Sequence, residues 1–259
     1  MEKKKGISGS TLKMIAIVTM LIDHIGAAVL ARLLMVNGLG ELDQTNTDAI
    51  MQWLSANGAL YGMYTVMRMI GRVAFPIFCF LLVEGFLHTH DVKKYAMRLG
   101  LFALISEIPF DLAFSSKILE FNYQNVFFTL FIGLLTMIAY RAVEEKEEWN
   151  QALKVILYIL IVAAGMALAY FLKTDYAEKG VFCIMVLYIF RKKKMWQLIA
   201  GCASFIWETP ALFGFIPIAF YNGTRGWKMK YFFYIFYPAH LLILYLLCYF
   251  MGISGYSAV

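Results

Sequence analysis

From Leu12 to Val36 the chain reads LKMIAIVTMLIDHIGAAVLARLLMV, apolar enough and long enough to cross the ~30 Å hydrocarbon core of a bilayer. Near its middle, Asp23 and His24 stand side by side. A carboxylate at that depth costs about 2.5–3.5 kcal/mol on insertion scales, so an ionisable residue held there faces a cavity or a partner and marks function. Neighbours on a helix point ~100° apart, so Asp23 and His24 do not form a simple dyad; each needs a group from elsewhere. Lys13 precedes His24 by nearly three whole turns and shares its helix face, about 16 Å away.

The rest of the chain has the same character. With 61% hydrophobic and 15% charged residues and a mean hydropathy of +0.69, it is too apolar for a soluble domain and reads as an all-α polytopic membrane protein. Its 259 residues hold about nine crossings at ~20 residues each, some short or broken, around a polar intramembrane cavity. One transmembrane unit over 1–259 is expected, with a first helix at 12–36, second and third helices within 70–113 and C-terminal helices within 195–250. The net charge of +6 calls for no nucleic acid, because most of the 23 Lys and Arg fall in loops assigned to one side, as the positive-inside rule asks of cytoplasmic segments. Lys3, Lys4, Lys5 and Lys13 put the N-terminus in the cytoplasm of a plasma-membrane protein whose C-terminus is external. No small-residue cleavage site comes after the first run, which reads as a retained helix. Cys79, Cys183, Cys202 and Cys248 sit in apolar runs without metal-ligand spacing and read as buried thiols. The H-x-H of His88 and His90 has no further ligands nearby, and no metal is expected.

Taken in order, the loop after Val36 lacks Lys and Arg and is assigned outside, and Leu60 to Met69, interrupted by Tyr61, Tyr64 and Arg68, reads as interfacial or re-entrant. A second crossing at Ile70 to Leu87 carries Arg72 near its outer end and Glu84 near its inner end, with Pro76 as a kink. A third at Tyr95 to Ala113 carries Arg98, Glu107, Pro109 and Asp111. Asn125 to Tyr140 returns, Ala152 to Leu172 is featureless scaffold, and Val181 to Phe190 leads to the basic run Arg191 to Lys194. Two shorter pieces, Met195 to Trp207 and Ala211 to Tyr221, precede a last crossing at Tyr231 to Met251 that contains Pro238 and His240.

Several of these residues suit chemistry at a buried centre. His24 is the better base, since an imidazole accepts a proton near neutral pH, while Asp23 orients a partner or holds a helix, with Arg72 as its suggested mate. Lys93, Lys94 and Arg98 are either topology determinants or a cradle for the phosphates of a cytosolic nucleotide-bearing donor. Asn222, Arg225, Lys228 and Lys230 carry the same two readings. His240 either caps the kink at Pro238 or joins His24 in a polar core.

The motifs LKMIAIVTMLIDHIG, IGRVAFPIFCFLLVEGFLHT, YAMRLGLFALISEIPFD, NVFFT, YNGTRG and FYIFYPAHLLIL, in that order, resemble the TraX family of polytopic membrane proteins. The resemblance spans about Thr11 to Leu244. The family's name-giving member is associated with N-terminal acetylation of conjugative pilin, so the resemblance implies an acetyltransferase drawing on acetyl-CoA. The family in turn is similar to integral-membrane acyltransferases of sugars and envelope polymers, which carry a basic residue and a His in their first helix. Lys13 and His24 match that pair, with Lys where Arg is usual, and the run near Arg98 matches their donor-binding segment in position.

The expectation is then transfer of an acetyl or other acyl group from cytosolic acyl-CoA to a hydroxyl or amine at the opposite face. His24 would act as general base, Asp23 or Arg72 would order the site, and Asn125 or His240 would stabilise the oxyanion. The acceptor is left open among peptide, sugar, lipid and small amine, membrane lipids surround the chain, and a homo-oligomer is compatible with it. A transporter or flippase using the buried charges as a proton relay, or a noncatalytic envelope assembly factor, is the competing expectation.

Overall fold

The computed structural model describes residues 5–227 and 230–257, and the first apolar run forms helix α1, Gly9–Val36. Lys3, Lys4 and Lys228, and the side chain of Lys230, lie outside the described residues. Ser8 caps α1 by accepting from the Thr11 N–H at 3.3 Å, while the Gly9 and Ser10 N–H groups donate to the Thr224 and Arg225 carbonyls. Directly after His24 the helix widens into a π turn over Ile25–Leu30. Such turns recur at functional sites, because the extra residue re-aims the side chains on either side.

Helices α2, Thr47–Gly71, and α3, Ala74–His88, run in series against α1. Leu60 to Met69, expected to be interfacial or re-entrant, is instead the interior of α2. Arg68 is tolerated there because Asp23 of α1 meets it. The break between α2 and α3 falls at Arg72 and Val73, one turn before Pro76, whose ring has no N–H to offer the Arg72 carbonyl. The N-terminal part of α2 is pinned by Trp53, whose indole N–H donates to the Asn37 carbonyl at 2.7 Å.

Helix α4, Val92–Ser115, is capped by Asp91, which accepts from the Lys94 N–H at 2.9 Å. Helix α5, Val126–Glu144, starts from Asn125, and α6, Gln151–Phe171, lies at the periphery with only Gly165 and Ala169 buried, in keeping with the scaffold expected there. Helix α7, Ala177–Ile189, has 13 residues and is largely buried. Helix α8, Lys194–Ser204, a 3-10 turn at Thr209–Gly214 and α9, Phe215–Ala219, make the short broken pieces, and α10, Lys230–Phe250, closes the bundle.

The protein is all-helical and multi-pass. Among the described residues five helices are long and apolar enough to cross a membrane: Gly9–Val36, Thr47–His88, Val126–Glu144, Gln151–Phe171 and Tyr231–Phe250. The larger expected number, about nine at ~20 residues each, is not reached, for two reasons. Helix α4 has the length but carries charges along it, from Lys93 to Asp111, and α7, α8 and α9 are too short to cross alone.

Two sets of loop contacts define the ends of the bundle. At one end Ile7 bridges to Tyr221, the Lys194 ammonium donates to the Tyr221 carbonyl at 2.9 Å, and Arg191 pairs with Glu144 at 2.8 Å. At the other, Gln124 bridges to Thr174 and the Ser116 hydroxyl donates to the Tyr256 carbonyl at 3.0 Å. Arg32, near the far end of α1, is fully buried and has no carboxylate partner among the described residues. Its guanidinium donates instead to the carbonyls of Ala28 (2.9 Å), Leu112 (3.2 Å), Ala113 and Tyr256 (2.9 Å) and to the Ser116 hydroxyl (2.9 Å). Leu112 and Ala113 belong to the last turn of α4, where carbonyls lack helical partners and the dipole is negative, so a cation fits there without an anion.

Arg32→Met should leave these carbonyls without donors at about 1–3 kcal/mol per orphaned acceptor. The purified variant should therefore melt well below wild type in detergent. An unchanged melting temperature would show that the carbonyls find other donors.

Candidate active site between two cavities

The α1–α2 contact is fixed by a charge pair. Arg68 Nη1 donates to Asp23 Oδ2 at 2.7 Å, with side-chain exposures of 26% and 14%, so neither charge stands alone in hydrocarbon. Gly71 makes the approach feasible, since a Cβ there would overlap the Asp23 side chain. The expected mate, Arg72, points elsewhere: its Nε lies 3.5 Å from Glu208, beside Tyr176. Arg68 takes the role because it lies one turn before Arg72 along α2, level with Asp23. Arg68 and Arg72 are spaced i, i+4, so the face of that helix in sequence singles out both.

His24 finds its third group in α10. Its Nδ1 is 2.6 Å from His240 Nε2, and His240 Nδ1 is 2.7 Å from the Phe236 carbonyl. The two ring planes differ by 3° and their centroids are 4.9 Å apart. That separation exceeds the nitrogen distance by about a ring's width, so the imidazoles lie edge to edge in one plane rather than face to face. A carbonyl only accepts, so His240 carries its hydrogen on Nδ1 and, with both rings neutral, presents Nε2 as an acceptor. His24 then donates from Nδ1, and the lone pair of its Nε2 is left for the cavity it lines. Of the two expectations for His240, the structure realises the contact with His24.

That cavity, about 100 Å³, is bounded by Asp23, His24, Arg68 and Arg72 together with Asp175, Tyr123 and Tyr176 and a set of Phe rings. Asp175 and Tyr176 come from the turn after α6, where the Tyr123 hydroxyl donates to Asp175 at 2.8 Å. Burial pushes the Asp175 carboxyl above the usual range, against the pull of the Tyr123 hydroxyl and of the Arg72 and Arg68 guanidiniums. No periodicity in the sequence links this turn to the helix face it covers, so Asp175 and Tyr176 carry no signal there.

A second, larger cavity of about 640 Å³ opens at the end where Ile7 meets Tyr221 and runs inward to Tyr237. Lys13, Arg98 and Arg225 line it, with Glu84, His88 and His90. Lys13 has its ammonium 5.1 Å from the Phe233 ring centre, and Arg98 Nε is buried without a hydrogen-bond partner. The two cavities share Met20, Phe78 and Val126, which form the wall between them.

The remaining candidates fall outside this arrangement. Lys93 and Lys94 lie on the surface outside both cavities, and Lys94 pairs with Asp91 at 3.1 Å. Asn222 shapes the turn beside Arg225 by accepting from the Thr224 N–H at 3.0 Å and does not line a cavity. Asn125 is an N-cap: its carbonyl accepts from the Phe127 N–H, and its amide donates to the Ala103 carbonyl and to Glu107. With that amide committed, and both His240 nitrogens occupied, neither residue is free to serve an oxyanion, contrary to the expectation. All four cysteines are free, three of them buried, and among the described residues no cluster of His, Cys, Asp and Glu suits a metal ion.

The family model for the TraX protein matches residues 8–248. The chain belongs to the TraX family. A relative described as the probable fimbrial assembly protein FimC, serogroup H1, of Dichelobacter nodosus is 27% identical over 275 aligned residues, covering 94% of this chain and 97% of its own length. No solved structure matches the chain. The matched region contains the Asp23–Arg68 pair, the His24–His240 contact and both cavities, so this TraX site lies wholly within the shared segment.

The charge pair has a measurable signature. Arg68→Met alone strands a largely buried carboxylate and should destabilise by up to about 3–5 kcal/mol, while Arg68→Met combined with Asp23→Leu should recover much of the loss. Chemical unfolding of the single and double variants in mixed micelles measures this, and purely additive losses would dissolve the pair.

Proposed function

We propose that this TraX-family protein is a membrane-embedded acyltransferase that moves an acyl group, acetyl in the first instance, from acyl-CoA to a hydroxyl or amine entering from the opposite face. The observation that carries this reading is the pair of cavities meeting at one wall, with a cationic mouth on the larger side and an unprotonated imidazole nitrogen on the smaller. The larger cavity falls within the ~300–1,000 Å³ common for small-molecule sites. Its donor set suits a polyphosphate: Lys13, Arg98 and Arg225 converge on it, and the unpartnered Arg98 Nε offers a hydrogen bond. Lys13 lies about 16 Å along α1 from His24, a span that places bound phosphates at the mouth and a thioester near the wall.

A bound acyl-CoA supplies the activated acyl carbon. The residues of the chain do the rest. His24 Nε2 takes the proton from the acceptor as its oxygen or nitrogen forms the new bond to that carbon; the C–S bond breaks, and the proton returns to the departing thiolate. His240 is a positioning residue: it accepts from His24 Nδ1–H and so holds the base in one tautomer, while the Phe236 carbonyl holds His240. Tyr237, edge-on to His24 with ring centres 5.9 Å apart and lining the larger cavity, brings a hydroxyl that can donate to the thioester oxygen. The Asp23–Arg68 pair keeps α1 and α2 in register beneath the acceptor.

In this reading the mouth of the larger cavity faces the cytosol of a cell whose plasma membrane the protein spans, with the N-terminus inside and the C-terminus outside. Support comes from the basic segments gathered at that end, Arg191 to Lys194 and Arg225 among them, and from Tyr256 bonding to Arg32 at the other. A role in fimbrial or pilin assembly, as the relative's description has it, would result if the acceptor is an envelope component. Peptide, sugar, lipid and small amine all remain within this class.

Purified protein should be stabilised against heat by CoA and acetyl-CoA. Membranes carrying wild type should label an envelope component from radiolabelled acetyl-CoA. His24→Ala should lose ~100-fold or more of the transfer rate, the usual weight of a general base, and still bind CoA. A His24→Ala protein that transfers at the wild-type rate, or a wild type indifferent to CoA, would return the chain to the transporter or assembly-factor readings.

A further inference from the structure

The wall between the cavities is built unlike the core around it. Met20 is 7% exposed, but Phe78 and Val126 are only partly buried although they sit in the middle of the bundle, because each has a cavity on either side. Both also lie at the seam of the two apolar clusters that make up the core, packed against each of them. The neighbouring rings of Phe75 and Phe80 are held by aromatic contacts to Tyr176, Phe205 and Tyr221, whereas among the described residues Phe78 has no ring partner. Phe78 is thus the bulky, unclamped member of the wall.

We infer that Met20, Phe78 and Val126 are the acyl-length selector of this protein, admitting acetyl and other very short acyl groups and excluding medium chains. The inference rests on the acyltransferase reading and adds to it the class of donor. A thioester delivered along the larger cavity reaches the wall with its acyl group directed at His24. Beyond the wall, acyl group and acceptor must share about 100 Å³, less than the ~150 Å³ of an engineered cavity that just admits benzene. An acetyl group leaves space there for the attacking atom. A chain of eight carbons does not, and it cannot fold back, because the larger side is taken up by the donor itself. Phe75, Phe78, Phe110 and Phe114 belong to the apolar part of that lining, and one methylene more or less against such a surface counts for roughly 10–200-fold in discrimination, so the cutoff should be steep.

The test is a donor series on the purified full-length protein: CoA, acetyl-CoA, butyryl-CoA and octanoyl-CoA, with affinity read by thermal shift titration. Acceptor-independent thiol release, in which water takes the acyl group and leaves a carboxylic acid and free CoA, gives a second readout. Wild type should favour acetyl-CoA over octanoyl-CoA by at least about 10-fold. Phe78→Ala should reduce that ratio about 10-fold or more, and Phe78→Trp should disfavour even butyryl-CoA. CoA binding reports that each variant is folded, and Met20→Ala replaces Phe78→Ala if the latter fails that control. Equal affinity of wild type for octanoyl-CoA and acetyl-CoA overturns the selector, as does a folded Phe78→Ala or Met20→Ala protein with an unchanged ratio; in both cases the acyltransferase reading stands. Failure of wild type to bind any member of the series, CoA included, overturns both.

Discussion

A charge carried into hydrocarbon has to be met there, and the packing of α1 on α2 is set by how Asp23 is met. Arg68 reaches it at 2.7 Å only because Gly71 lets the two backbones close up. That contact fixes the depth of α2, and with it the point at which the helix must stop. Pro76 denies the Arg72 carbonyl its donor, so the chain breaks one turn past the pair, and Arg72 turns toward Glu208 and Tyr176 rather than back to α1. The smaller cavity is the space left between the pair, the break and the turn that carries Asp175.

The same need explains why α1 is not a uniform helix. An ordinary α-helix repeats its faces every three to four residues, and one face cannot serve both an anion partner in α2 and an imidazole partner in α10. Asp23 and His24, as neighbours, point to those two helices in turn. The π turn at Ile25–Leu30 then re-aims the last stretch of α1, so that Arg32 arrives over the end of α4 and the segment around Tyr256. Arg32 is answered by carbonyls rather than by a carboxylate, which the free C-terminal turn of α4 makes feasible.

Much of this is legible in the sequence. The apolar runs carry the membrane class and most helix centres, and the motif order carries the family. The adjacency of Asp23 and His24 carries the demand for two separate partners. The identity of those partners is less accessible: His240 admits two readings, and Arg68 reads as an interruption of an apolar run when it is the reason α2 holds its place. Charge density misleads in the same way elsewhere. Lys93 and Lys94 form the denser cluster, yet they point to the surface, while Arg98, one turn further along α4, faces the cavity with Lys13 and Arg225. Asn125 has the side chain an oxyanion would favour, but the start of α5 requires it as a cap. Helix periodicity tells which residues share a face; it does not tell what that face meets, and here the site is made of meetings.

The asymmetry of the two cavities bears on how such a site works in a membrane. Cations without carboxylate partners are costly to hold near hydrocarbon, and Lys13 and Arg98 line the larger, open cavity, where that cost is lower and where a bound anion would relieve the rest. Deeper in, every charge on the smaller side is already paired or hydrogen-bonded within the protein, Asp23 to Arg68, Arg72 to Glu208 and Asp175 to Tyr123. Among the described residues two acceptors are left uncommitted at that depth, the Asp23 Oδ1 whose sister oxygen holds Arg68, and one neutral lone pair, on His24 Nε2. A neutral base is the form of reactive group that a low-dielectric site holds at least expense. It acquires charge only when a proton reaches it, and by then the His240 nitrogen is in place to accept from the imidazolium that results.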